Sequence, residues 1–101
     1  MTAGQITELV TEMRADLQIP PYFPELTLQR AVERGVEFLQ SLNPVVDLSE
    51  DLTGRGLLGS YVLYDINHRT EEFQHNYSWD ILRWQMLTPA PTEEEATQDE
   101  P

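Results

Sequence analysis

Residues Leu57 to Met86, LLGSYVLYDINHRTEEFQHNYSWDILRWQM, constrain the fold more than any other stretch, because their apolar side chains repeat at helical spacing in two phases. Phe73, Tyr77, Ile81 and Trp84 follow one helical face, while Trp79, Leu82 and Met86 follow another. A helix apolar on two faces needs two partners. The first phase predicts core, shared with Leu58, Tyr61, Val62 and Ile66 of the preceding helix. The second predicts a subunit interface with another copy of the chain, with packing against the first helix as the alternative.

The remaining sequence supplies helical partners for this pair. Thr2 and Gln5 have the spacing of a capping box, and Ile6, Leu9, Val10, Met13 and Leu17 then mark an amphipathic helix ending near Leu17. The segment Ile19 to Pro24, IPPYFP, predicts a rigid, extended connection, since proline removes donors and restricts the residue before it. Tyr22 and Phe23 within it either fold back onto the core or reach a partner. A second helix spans Glu25 to Leu42, with Gly35 on its apolar side where a neighbouring helix can approach closely. Asn43-Pro44 ends it, and a connector with a possible cap at Ser49 follows.

Gly54, Gly56 and Gly59 each weaken a helix by about 1 kcal/mol relative to Ala, which places the secure start of the third helix near Leu57. Asn67-His68-Arg69-Thr70 forms a corner, and Thr70 is the predicted cap of a fourth helix running to about Leu87. The expected architecture is all-α: a small four-helix bundle over residues 1–87, with an extended acidic tail over 88–101. The tail, TPAPTEEEATQDEP, holds five acidic residues and no basic or aromatic one, a composition that stays disordered until a partner orders it.

A chain of 101 residues makes one domain able to bury about 60 to 70% of its unfolded surface. Its net charge is -12, of which the tail carries five units, and its six basic residues are all Arg. That balance opposes phosphate binding, which needs clustered cations. The absence of Cys excludes thiolate chemistry and disulfides and suits a reducing compartment. No secretory signal and no run of the ~20 apolar residues that span a bilayer is visible, so no membrane association is expected.

The side chains with chemical potential fall short of a site. His68, Glu72 and His75 share the i, i+4, i+7 spacing of metal ligands on a helix, and Glu72-x-x-His75 is half of a di-iron pattern. No second Glu-x-x-His exists, so the expectation is exposed side chains at a helix start, with no metal and no cofactor. Asp47, Glu50 and Asp51 lack calcium-loop spacing. Gly54-x-Gly56-x-x-Gly59 follows no strand, and no serine sits in a nucleophile elbow. No adjacent carboxylates have the apolar pocket that separates an acid from a base. Nothing predicts an enzyme.

Four short helices, the pair reading YVLYDINHRTEEFQHNYSWDILRW, and the Phe-x-x-x-Tyr step at Phe73 and Tyr77 resemble the small head-tail connector proteins of tailed bacteriophages, also called head completion or adaptor proteins. The resemblance implies a non-enzymatic virion protein that forms a ring, commonly twelvefold, beneath the portal protein. Such a protein is present in the host cytoplasm during assembly. It extends the DNA channel without binding DNA specifically and offers a surface to the tail or a stopper protein. Under that reading Thr88, Pro89, Pro91, Glu93, Glu94 and Glu95 are the candidate portal-docking segment. The alternatives are a free acidic binding module such as a DNA mimic, or a metal enzyme on His68, Glu72 and His75.

Overall fold

A computed structural model describes residues 1–88, which form five helices and, among the described residues, no strand. They are α1 (Ala3–Asp16), α2 (Glu25–Leu42), α3 (Leu52–Ile66), α4 (Thr70–Asn76) and α5 (Ser78–Leu87). The protein is all-helical, with five helices where four are expected. No helix of the described residues is long and apolar enough to cross a membrane.

The first two helices follow their sequence signals closely. Thr2 caps α1 through a complete capping box with Gln5, and Ile6, Leu9, Val10 and Met13 face inward. Helix α1 ends in a Schellman motif: Gln18 takes a left-handed conformation at φ 56°, and the Ile19 amide reaches back to the Arg14 carbonyl. The connection to α2 is a turn where an extended segment is expected. The Phe23 amide donates to the Pro20 carbonyl at 3.0 Å, and Pro21 occupies the second turn position, where its fixed φ is favourable. Arg14 braces this turn by donating to the carbonyls of Pro20 and Phe23 and to Glu25. Phe23 packs on the core, whereas Tyr22 is 86% exposed.

Gly35 of α2 lies against α3. A Cβ there would stand 2.6 Å from Leu58 Cδ1 and 2.9 Å from Tyr61 Cδ1, so only glycine permits this approach. The core between them contains the fully buried Leu28, Val32, Leu39, Leu58, Val62 and Phe73.

Helix α3 starts at Leu52, earlier than expected, because Asp51 and not Ser49 caps it, accepting from the Gly54 amide at 2.7 Å. Ser49 instead donates both its amide and its hydroxyl to Asp47. These two bonds, the hydroxyl first, hold the Asp47 carboxyl below its ordinary value. At the other end, α3 also closes with a Schellman motif. His68 is left-handed at φ 60°, and the Arg69 amide donates to the Tyr64 carbonyl at 2.8 Å. Thr70 is the first residue of α4, and its side chain makes no cap bond.

The expected fourth helix breaks at Tyr77, whose φ of -110° and ψ of 11° leave the helical range. The break reconciles two anchors. Phe73 is fixed in an aromatic cluster with Phe38, Tyr61, Tyr64 and Tyr77. Trp84 is fixed near the other end of α3, beside Asp51 and Gly54. Helix α5 therefore runs back along α3, from Tyr77 beside Tyr64 to Trp84 beside Gly54.

Candidate functional site

Helix α5 is held by one face and leaves its opposite face bare. The inner face buries Ile81 and Trp84. The Trp84 indole Nε1 donates to Asp51 Oδ2 at 2.8 Å, so a single carboxylate oxygen caps α3 and ties down α5. At the C-terminal end, Gln85 donates to the Leu42 carbonyl at 2.7 Å, and the buried Asn43 donates to the Thr88 hydroxyl at 2.8 Å. Thr88 in turn donates to the Trp84 carbonyl. The last turn of α5 is thereby pinned to the end of α2.

Trp79, Leu82 and Met86 occupy the outward face at i, i+3 and i+7, with exposures of 71%, 42% and 72%. Leu87, 69% exposed, lies to one side of these three. A contiguous ridge of this kind marks an interaction surface. Beside it runs a groove of about 400 Å³ between α3 and α5, with Gly56, Leu57 and Ser60 on one wall and Asp80, Arg83 and Leu87 on the other. A second cleft of about 470 Å³ opens near the end of α5, between Val45, Asp47 and Glu50 on the connector and Trp84, Leu87 and Thr88.

The residues expected in the core divide in two. Leu58, Tyr61, Val62, Phe73, Ile81 and Trp84 are buried, while Ile66 and Tyr77 are half-buried against the same cluster. Burial first, then the Asp65 carboxylate, hold the Tyr61 phenol above its ordinary value of 10.0. Of the expected docking segment, Thr88 belongs to the latch on Asn43. Pro89, Pro91, Glu93, Glu94 and Glu95 lie outside the described residues.

The histidine pair does not assemble a site. His68 precedes α4 in a left-handed turn, and Glu72 pairs with Arg69 at 3.0 Å. Among the described residues, no group of three His, Asp or Glu side chains converges as metal ligands would.

Sequence reasoning missed Asp51, Asn43, Phe38 and Tyr64. Asp51 carried a usable signal, a capping residue three positions before Gly54, but the glycines obscured it. Asn43 bonds across 45 positions, a contact that local pattern does not encode. Among protein-family models, curated proteins and solved structures, none matches this chain.

Proposed function

We propose that the protein is a non-enzymatic structural subunit of a tailed-phage virion, a head-tail connector that assembles as a ring beneath the portal. The observation that carries this reading is the bare apolar face of α5, where Trp79, Leu82 and Met86 stand opposite the buried Ile81 and Trp84. An exposed tryptophan among aliphatic neighbours is the kind of group that anchors a protein interface.

The charge supports the same reading. A net charge of -12 lets a DNA duplex pass a lumen without adhering, because like charges repel over about 8 Å at physiological salt. In this reading residues 1–87 are the ring-forming domain and the acidic segment from Thr88 is the portal-docking arm. The tail or stopper protein occupies the opposite side of the ring.

Cryo-EM and mass photometry of the protein mixed with its portal test the proposal. A ring of this chain seated on the portal is the expected result. A chain that binds no portal and instead captures a basic nucleic-acid-binding protein would replace the proposal with a DNA mimic.

A further inference from the structure

We infer that the α5 ridge of one copy seats in the groove between α3 and α5 of the next copy. The inference rests on the reading of the chain as a subunit that assembles with itself, and it names the surface that receives the ridge.

Gly56 is the first indication. Gly35 and Gly54 have neighbours that a Cβ would strike, and Gly59 touches Met13 and Leu17, whereas a Cβ on Gly56 would meet nothing within 4 Å. A glycine inside a helix destabilises it relative to alanine. Packing within one copy gives no reason for that cost at Gly56. Close approach of a side chain from outside does. The groove over Gly56 has a volume of about 400 Å³, room for a large aromatic side chain.

Charge selects the occupant. Copies carrying -12 each repel one another unless they meet on a neutral surface. Helices α3 and α5 each contain one acidic and one basic residue, Arg55 with Asp65 and Asp80 with Arg83, and so have no net charge. A basic partner would be drawn instead to α1 or α4, which are both net acidic. The neutral groove therefore suits a second copy of this chain.

The ridge and the groove use different sides of α5. Trp79, Leu82 and Met86 form the ridge, while Asp80, Arg83 and Leu87 line the groove. Each copy thus offers a ridge to one neighbour and a groove to another, a heterologous contact that closes into a ring or continues as a filament.

The chain contains no cysteine, which makes the test direct. Two full-length variants, Gly56→Cys and Leu82→Cys, are oxidised separately and as a mixture in the presence of the portal protein, with sedimentation of the wild-type protein and portal in parallel. A disulfide-linked heterodimer that appears only in the mixture is the expected result. Gly56→Leu should melt at or above the wild-type temperature and yet lose assembly. A disulfide in Leu82→Cys alone would show ridge meeting ridge and overturn the groove, leaving self-assembly intact. The same holds if the wild type sediments as an oligomer and the mixture gives no disulfide. A wild type that gains no oligomer with the portal present, together with no disulfide there, would overturn the inference and the self-assembly beneath it.

Discussion

At the scale of single residues, two side chains hold conformations that glycine would adopt more easily. Gln18 and His68 both occupy the left-handed position that ends a helix. A side chain there costs about 1 to 2 kcal/mol, partly recovered because glycine also loosens the unfolded chain. His68→Gly should therefore raise stability by about 0.5 to 1 kcal/mol in urea unfolding, a gain that a metal-ligand role for His68 would reverse. Tyr61 provides a pH-dependent counterpart. Its phenol is held above the ordinary value of 10.0, so the unfolded chain loses that proton first. The contribution is intact below pH 10.0 and is lost as pH rises through the higher folded value. Melting curves from pH 9 to 11 should show wild type losing stability more steeply than Tyr61→Phe.

At the scale of elements, α5 is fastened to the start of α3 by one indole. Trp84→Phe keeps most of the apolar contact but removes the donor to Asp51, and a bond to a charged group is worth about 1.5 to 3 kcal/mol. Urea unfolding should show a loss of that size, while Asp51→Asn, which keeps an acceptor oxygen, should lose less. The helices themselves were legible where local signals agreed. The capping box at Thr2 and Gln5 started α1, and the stripe from Leu28 to Leu39 located α2. The start of α3 was obscured because its glycines read as breakers, although Gly54 is the point where backbone passes beneath Leu48 and Trp84. The break at Tyr77 was hidden for a different reason. The apolar phase runs through it unchanged, and only the separate anchoring of Phe73 and Trp84 bends the chain there. The ridge was visible from spacing alone, whereas the groove beside it exists only once α5 folds back along α3.

At the scale of the whole molecule, one ten-residue helix buries one face and exposes the opposite one, and the proposed function puts folding on the first and assembly on the second. Trp79→Glu should leave the urea midpoint nearly unchanged, within about 0.5 kcal/mol as for other surface positions, and should abolish ring formation on the portal. If the variant unfolds instead, the two faces are assigned the wrong way round. The same separation gives the protein an internal optical readout. Its two tryptophans occupy opposite environments, Trp84 at 4% exposure and Trp79 at 71%. Emission from Trp84 should shift to the red when the chain unfolds, and emission from Trp79 should shift to the blue when a neighbour covers it. With Trp79→Phe and Trp84→Phe as single-tryptophan controls, folding and assembly become two separately coloured events in one unlabelled sample.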